Sequence, residues 1–431
     1  MTDKASSTKK GGEIMLRSMY SAVSGLKAHQ ARMDVIGNNI ANVNTVGYKA
    51  SRMTFKEIFS QTIKGASAPQ GSGGGTNPQQ IGLGVSIASI DTLFTRGGAQ
   101  RTDNPTDLSI DGNGFFIVSN GGANLYTRAG NFNFDSHGDL VTPDGYKVLG
   151  WMSADGKTVN SDTGNLVPIS LNNWSSINPL TTTSMEIGGN LDSQTILNGS
   201  INYNIIVYDS QGASHIATMT FTRNTADGWT WNVSSQDPAI QTIDGNGTLT
   251  FGSDGKILPD NNGNRIANGT LTFTMNNADS NATIGPVSID LSNLTMYSSE
   301  TDLRELGKNG NAAGSLESIN IDKYGVVSGI YSNGRRQTIG QIAIADFQNP
   351  MGLEKTGNTM FINTVNSGEP IIGIPGTGTR GGLNPGTLEM SNVDLANEFS
   401  DMITTERGFQ ANSKIITTSD EMLQDLVNLK R

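Results

Sequence analysis

The last forty residues, 392–431, constrain the fold of this chain more than any other stretch. Five apolar side chains recur there at intervals of seven: Leu395, Met402, Phe409, Ile416 and Leu423. Six more widen this line into a stripe: Phe399, Ile403, Ile415, Met422, Leu426 and Leu429. Seven residues nearly complete two helical turns, so this interval keeps side chains on one side of a helix. We therefore predict a helix roughly 55–60 Å long, with an apolar stripe that needs a partner.

A second stripe lies near the start of the chain, with the same alternation of three and four positions. Its members are Leu16, Met19, Val23, Leu26, Met33 and Ile40. Because both ends carry such stripes, we expect two terminal helices that pair as in a coiled coil. One interpretation is that the helices bury both stripes against each other within one molecule. We favour a second, in which the stripes exceed what two helices can cover and pack against other copies.

The composition of the intervening region predicts many short strands. Glycine accounts for 53 of 431 residues, above the usual ~7%, and Asn-Gly and Asp-Gly pairs indicate tight turns. A net charge of −10 argues against nucleic acid as a partner. No basic amphipathic stripe and no apolar run long enough for a membrane span is present, so membrane insertion is not expected. The absence of cysteine excludes disulfides and thiolate chemistry.

The sequence also lacks the motifs of common catalytic and metal sites. His29, His137 and His215 lie in different regions, and none has a second ligand at metal spacing. The Asp-Gly-Asn-Gly runs at 111–114 and 244–247 lack the later ligands of a calcium loop, so tight turns are predicted. No nucleophile or phosphate-binding motif appears. We predict no enzyme activity and no cofactor, although a pair of carboxylates acting on glycans stays an alternative.

Turn residues and shifts in composition divide the chain into nested segments. The predicted segments are a terminal helical core (15–60 with 387–431), a linker or loop (61–80), a discontinuous middle β domain (81–152 with 305–386) and an outer inserted β-sandwich or barrel (153–304). The predicted fold class is thus mainly β with α-helical termini. Either Ser391 or Asn392 is expected to cap the closing helix.

A polar motif follows the N-terminal stripe. Its residues are Asn38, Asn39, Asn42, Asn44, Thr45, Gly47, Tyr48 and Lys49. Asparagine side chains compete with a helix for backbone hydrogen bonds, so a capped and kinked helix end is predicted, which by itself needs no further role. Together with SAVSGL at 21–26, DGNGFF at 111–116 and LEMSNVDL at 388–395, the motif resembles the bacterial flagellar rod and hook protein family. The resemblance covers nearly the whole chain.

This resemblance implies a structural subunit that polymerises with its own copies, the stripes forming the core of the polymer. The large insertion at 153–304 favours the curved hook tube, a flexible coupling that transmits motor torque from rod to filament. Residues 77–85 are also similar to rod proteins, so a distal rod or hook-associated subunit stays an alternative. An alternative of another class is a secreted β-rich adhesin or binding module, monomeric and without paired helices.

The family further implies partners and a location. Expected partners besides a second copy are flagellar rod proteins, the hook cap, the hook–filament junction proteins and the flagellar export apparatus. The implied location is extracellular, in the hook of the flagellum, reached without a cleaved signal peptide. Family members begin shortly before the SAVSGL motif, and the helical pattern begins at Met15 and Leu16. We therefore expect Met15 to be the native start and residues 1–14 to be a leader.

Overall fold

Two long helices frame the chain, and the residues between them form strands. α1 spans Thr2–Ala41 and α2 spans Leu395–Asn428. The predicted fold class, mainly β with α-helical termini, is confirmed. This computed structural model describes residues 2–69, 74–161, 164–258, 268–275 and 282–428. The side chains of residues 2–16 and of Leu426 lie outside that description, and the native start at Met15 stays a prediction.

The side chain of Asp394 caps the start of α2. Its Oδ1 accepts the Ala396 N–H at 2.9 Å, one of the donors that have no partner inside the first helical turn. The predicted cap at Ser391 or Asn392 is therefore wrong. Asn392 instead donates to the Leu93 carbonyl at 2.8 Å, which fixes the segment before the helix to the β structure.

The chain divides into two compact units. The first consists of residues 1–171, 320–328 and 338–431, and the second of 172–319 and 329–337. The three nested segments predicted from the sequence stay a prediction. Short 3-10 helices at Asn172–Trp174 and Pro350–Gly352 complete the elements listed next.

The strands are numbered in chain order. Those before residue 172 are β1 Ser51–Glu57, β2 Ser60–Lys64, β3 Gln79–Gly82, β4 Val85–Thr92, β5 Ala99–Arg101, β6 Leu108–Asp111, β7 Phe115–Ser119, β8 Asn124–Thr127, β9 Asn133–Phe134, β10 Leu140–Val141, β11 Lys147–Met152 and β12 Val167–Pro168. The next are β13 Ser176–Ile177, β14 Ser184–Asn190, β15 Ser200–Tyr208, β16 Ser214–Arg223, β17 Gly228–Ser234, β18 Ile240–Asp244, β19 Asn246–Thr250, β20 Asn268–Met275, β21 Val287–Thr295, β22 Asp302–Lys308 and β23 Gly314–Ile321. The last are β24 Val326–Tyr331, β25 Arg336–Ile342, β26 Ile344–Asp346, β27 Glu354–Gly357, β28 Met360–Ile362, β29 Ile371–Gly373, β30 Gly382–Pro385 and β31 Thr387–Glu389.

The core of the first unit is a sheet in which β11, β7, β8, β28 and β27 are successive antiparallel neighbours. Its buried side chains include Phe115, Tyr126, Phe347 and Phe361. Their rings meet edge to face, from 4.8 Å for Tyr126 and Phe347 to 5.9 Å for Phe115 and Phe361, an arrangement that aromatic quadrupoles favour. The pairs β6–β30 and β5–β31 join the early strands to the segment that leads back to α2.

A two-stranded ribbon runs beside α1 in the same unit. β1 and β4 pair from Ser51↔Thr92 to Glu57↔Val85, and β2 and β3 continue the ribbon beyond them. One face touches the helix: the Val85 N–H donates to Ser24 Oγ at 3.2 Å. Most of β2 and half of β3 lie within the stretch predicted as a linker.

The second unit is a sandwich of two sheets. Their orders are β18-β20-β21-β14-β22 and β15-β16-β17-β19. Trp229, Trp231 and Val233 alternate along β17 and share one hydrophobic cluster with Ile187 of β14 and Ile289 of β21, so both sheets contribute to the same core. Among the described strands, neither sheet closes on itself, and the sandwich rather than the barrel is therefore the observed form.

Candidate assembly surface and its junction

α1 and α2 pack against each other in antiparallel orientation. A Cβ built on Gly25 would lie 2.9 Å from Asn412 Nδ2, and one on Gly408 would lie 2.7 Å from His29 Cε1. Further along, Arg32 Nη2 lies 3.0 Å from Asp401 Oδ2. As the α1 numbers rise, the α2 numbers therefore fall. A Cβ at either position would force the facing side chain to shift, so glycine favours this close approach.

Apart from Ile36, the most buried described residues on the two helices are small or polar. On α1 they include Ala22, Ala28 and Asn39, and on α2 they are Thr405 and Ser419. Large side chains would hold the helix axes further apart than this seam allows. His29 Nδ1 and Thr405 Oγ1 are buried without a hydrogen-bond partner among the described residues. The pairing of two helices within one molecule is thus close but imperfectly satisfied.

The predicted stripe of α1 lies beside this seam rather than in it. Val23, Leu26, Met33 and Ile40 each follow a residue of the seam by one position: Ala22, Gly25, Arg32 and Asn39. One position turns a helix by about 100°. Val23 is exposed, whereas Met19, Leu26, Met33 and Ile40 are half-buried. Leu16 lies within α1, but its side chain is outside the described part.

The predicted stripe of α2 also contains both half-buried and exposed side chains. Met402, Phe409, Ile416 and Leu423, four members of the seven-residue repeat, are half-buried. Leu395, Phe399 and Ile403 form what we call the exposed stripe, with 39%, 50% and 58% of their surfaces exposed. Leu426 has no described side chain. In a single molecule the helix pair therefore leaves apolar surface in contact with water.

The ribbon adds a second exposed apolar surface. Its exposed large side chains are Ile58, Phe59, Ile63, Ile81, Leu83, Val85, Ile87 and Ile90. Two-stranded ribbons are marginally stable without a packing partner, and apolar surface of this extent on a soluble chain usually marks an interaction site. Sequence reasoning did not identify this surface, because it divided these residues among the predicted helical core (15–60), the linker (61–80) and the middle β domain (from 81).

Asn39 organises the polar motif at the end of α1. Its Nδ2 donates to the Ser51 carbonyl at 2.8 Å and to Glu398 Oε1 at 2.9 Å. Its Oδ1 accepts the Ser51 N–H at 2.9 Å and the Tyr48 hydroxyl at 3.2 Å. Asn39 is only 1% exposed, so these bonds compensate for the loss of water around a buried amide. One side chain thereby joins α1, α2 and the ribbon.

The remaining asparagines form the expected local cap. Asn42 Nδ2 donates to the Asn38 carbonyl at 2.9 Å, and the Thr45 hydroxyl donates to Asn42 Oδ1 at 3.1 Å. These bonds replace helical ones where α1 ends. Asn44 is exposed.

Gly47 is required by its surroundings. Its φ of +69° is a left-handed conformation, and a Cβ there would lie 2.4 Å from the Ala129 nitrogen. Its N–H donates to the Glu389 carbonyl at 2.7 Å. Any side chain would therefore clash with the backbone of residues 128–129 and push the segment after α1 away from the end of β8.

Lys49, Arg128 and Glu389 form a buried charged group, which we call the junction cluster. Lys49 Nζ lies 2.6 Å from Glu389 Oε1, and Arg128 Nη1 lies 3.4 Å from Glu389 Oε2. Lys49 Nζ also donates to the Thr95 carbonyl at 2.8 Å, and Arg128 Nη1 to the Gly112 carbonyl at 2.9 Å. Burial lowers the pKa of both cations, and the charge of Glu389 offsets part of that effect.

The junction cluster joins the two chain ends to the β structure. Lys49 follows α1, Glu389 precedes α2, and Arg128 lies just after β8. Sequence reasoning identified Lys49 but not Arg128 or Glu389. Glu389 lies in the LEMSNVDL stretch that carries the family resemblance, yet nothing in the spacing of the two missed residues indicates that they meet.

A groove of about 440 Å³ opens beside the motif, between Asn42, Tyr48 and Lys355. Lys355 Nζ lies 5.1 Å from the Tyr48 ring centre and donates to Ser51 Oγ at 3.0 Å. Burial lowers the pKa of Lys355 and raises that of Tyr48, for which the charge of Glu398 is a smaller cause. Within the described residues no group of three potential ligands is placed to hold a metal ion.

His215, noted in the sequence as isolated, bridges two carboxylates in the second unit. Its Nδ1 lies 2.8 Å from Asp237 Oδ2 and its Nε2 lies 3.2 Å from Asp209 Oδ2. Although burial opposes it, hydrogen bonds from His215 and from the Ala213 and Gln211 N–H groups lower the pKa of Asp209. The arrangement fastens the turn after β15 to the loop after β17.

No described helix is both long and apolar enough to cross a membrane.

Family models match most of the chain. Residues 384–429 match the flagellar basal body rod FlgEFG protein C-terminal model, and 19–49 match the flagella basal body rod protein model. Residues 109–190 match the flagellar hook protein FlgE/F/G D1 domain, and 183–311 match the flagellar basal body protein FlaE D2 domain. The polar motif, Arg128 and Glu389 all lie inside these matches.

Relatives align over nearly their whole length. The flagellar hook protein FlgE of Borreliella burgdorferi is 40% identical over 96% of this chain and 100% of its own. FlgE of Treponema pallidum is 37% identical over 97% of this chain and 100% of its own. The flagellar basal-body rod protein FlgG of Bacillus subtilis is 35% identical over 97% of this chain and 100% of its own. With identities above 30% across almost the full chain, this protein belongs to the family of flagellar hook and basal-body rod proteins.

Proposed function

We propose that this protein is the structural subunit of the flagellar hook and that its copies assemble through the stripes of α1 and α2 and the apolar ribbon. The observation that carries this proposal is the offset between seam and stripe. The helices pair through small residues, and the exposed stripe at Leu395, Phe399 and Ile403 keeps its apolar surface. Burial of such surface between copies stabilises a polymer by roughly 25 cal/mol for each Å² removed from water.

A mechanism for a flexible coupling follows from this division. Paired helices from many copies form a continuous inner core that resists twisting. The β units surround the core and slide against those of neighbouring copies as the tube bends. The junction cluster, with its buried ion pairs, transmits force from each helix pair to the β strands of the same unit.

Family membership also supports a route and a set of partners. Export through the flagellar secretion apparatus without a cleaved signal peptide delivers the subunit to the growing tip of the tube. There it meets the hook cap, and the completed tube joins rod proteins at one end and hook–filament junction proteins at the other. Mass spectrometry of subunits from isolated hooks tests this route: an intact, uncleaved N-terminus at Met15 is expected, and a cleaved one contradicts it.

A distal rod subunit is the second candidate. It is favoured by the 35% identity to a relative named as a basal-body rod protein. Immunogold labelling of isolated flagella separates the two. Label on a curved tube outside the cell body supports the hook, and label on a straight segment below it supports the rod.

The substitution Ile403→Asp tests the assembly surface. Ile403 is 58% exposed, so a charge there leaves the monomer folded but must be desolvated when copies pack. We expect the variant to form no tubes in electron microscopy at concentrations where the parent assembles, with unchanged circular dichroism. Ser400→Asp, at another exposed position of α2, is the matched control and should assemble. Normal tubes from Ile403→Asp would contradict the proposal.

A further inference from the structure

The outer edge of β15 is open to a further strand. β15 is the first strand in the order β15-β16-β17-β19. It pairs with β16 from Ser200↔Thr222 to Tyr208↔Ser214 without a shift in register. Across the described part of the chain, no strand pairs with its other edge.

Hydrogen bonds at the end of the strand show which backbone groups face this edge. The Tyr208 carbonyl accepts the Thr182 N–H at 3.0 Å, and the Tyr208 N–H donates to Thr182 Oγ1 at 2.9 Å. In an antiparallel pair, alternate residues direct both backbone groups to the same edge. The N–H and C=O groups of Asn202, Asn204 and Ile206 therefore face the same free edge, and their side chains are exposed.

β15 has none of the devices that protect edge strands. Such edges usually carry charged residues, proline or a bulge, whereas the nine residues SINYNIIVY contain no charge and no proline. The contrast within the same unit is β22, an edge of the other sheet, which carries Asp302, Arg304, Glu305 and Lys308. Uncharged segments of high β propensity readily pair with copies of themselves.

The sheet face next to this edge is also uncharged. The second unit carries fourteen acidic and seven basic residues, so two copies repel each other overall. The outward positions of β15, β16, β17 and β19, all described, hold only Ser, Thr, Asn, Ile, Tyr and Gly. The Thr218 and Thr220 hydroxyls donate to Asn204 Oδ1 and Asn202 Oδ1, each at 3.0 Å, which orders the two amides at the edge.

We propose that β15 pairs edge to edge, in antiparallel orientation, with β15 of a second copy of this chain. When the pairing is centred on Asn204, this residue faces its own counterpart, and Asn202 faces the counterpart of Ile206. Two four-stranded sheets then form one continuous sheet. Such a two-fold contact reverses the direction of one copy. It therefore joins free subunits or neighbouring tubes rather than subunits of one tube, and it requires no residue of the terminal helices.

Cysteine cross-linking of the full-length protein tests the pairing, because the chain contains no cysteine. In the proposed register the two Cα atoms of residue 204 lie about 5.5 Å apart, within the range that a disulfide spans. We expect diamide to convert Asn204→Cys to a disulfide-linked dimer roughly tenfold faster than Asn232→Cys, whose position on β17 is two strands from the edge. If only Asn232→Cys forms dimers, the sheets pack face to face instead. If neither variant forms dimers, the edge of β15 is unpaired. Either result overturns the proposal.

A second substitution separates strand pairing from random collision. Ile206→Lys, added to Asn204→Cys, places an ammonium group at the pairing edge and should slow cross-linking by roughly tenfold. Asn232→Lys in the same background is the matched control and should leave the rate nearly unchanged. Equal rates in the two double variants would overturn the proposal, and circular dichroism verifies that both remain folded.

Discussion

Gly25 and Gly408 determine how closely the terminal helices approach. A glycine inside a helix costs about 1 kcal/mol relative to alanine, so neither is explained by helix stability. Each lies where a Cβ would come within 2.9 Å of a side chain on the other helix. Gly37 on α1 differs, because a Cβ there meets nothing within 4 Å.

We expect Gly25→Leu to separate the helices. The added side chain meets Asn412 across the seam, and overpacking of this kind typically costs about 1–3 kcal/mol. Thermal melting followed by circular dichroism should show a loss of helical signal at lower temperature. Gly37→Leu adds the same side chain to open space and should leave the melting temperature equal or higher. Similar destabilisation of both variants would contradict the role of the seam.

A larger loss of stability is expected from a substitution in the junction cluster, because its charges are almost fully buried. Glu389→Gln removes the carboxylate that contacts both Lys49 and Arg128, and breaking a buried ion pair in this way costs about 3–5 kcal/mol. We expect a lower urea midpoint for the first unit. Asp103→Asn removes an exposed ion pair with Arg101 and should not change the midpoint. An unchanged midpoint in Glu389→Gln would show that the cluster contributes nothing to stability.

At the scale of elements, the pairing of α1 and α2 depends on pH through Glu398. Burial raises its pKa above the ordinary 4.5, the negative charges of Asp401 and Asp394 raise it further, and Asn39 and Arg32 oppose the shift. A carboxyl with a raised pKa contributes stability that is present below pH 4.5 and is lost as the pH rises through the folded-state pKa. The helix pair should therefore be less stable at neutral pH than in acid, as far as this group is concerned.

Replacement of Glu398 by glutamine should remove this dependence. The amide oxygen of the new side chain still accepts the Asn39 Nδ2–H, but the repulsion between carboxylates is gone. We expect a higher melting temperature than the parent at pH 7 and a smaller difference between the two at pH 4. Glu406→Gln, at an exposed position of α2, provides the matched control. A constant difference between parent and variant across this range would rule out Glu398 as the source.

At the scale of the whole molecule, the buried and the exposed apolar surfaces have different roles. The aromatic core of the first unit and the sandwich core of the second are buried within one chain. The exposed stripe and the exposed apolar side chains of the ribbon are not covered within the chain. A monomer thus has folded β units but incompletely covered helices, which is the state expected of a subunit before assembly.

The seven-residue repeat predicted both the existence and the type of the closing helix, and the alternation of three and four positions did the same for the first. The Asn-rich motif predicted a capped helix end. Nothing local indicated that Asp394 rather than Ser391 or Asn392 caps α2, or that residues 61–80 contribute strands. A cap depends on where the preceding segment is held, and Asn392 is held by Leu93.

The periodicities of this chain can be read from its residues alone, since the side-chain spacing of helices and strands is a local property of the backbone. Which face of each helix packs within the molecule depends instead on tertiary contacts. Steric fit and desolvation between distant segments decide how closely the helices approach at Gly25 and Gly408. The same holds for the junction cluster, in which Lys49 and Glu389 meet across 340 positions. Those energies exist only once the chain is folded, and they leave part of each apolar stripe in contact with water.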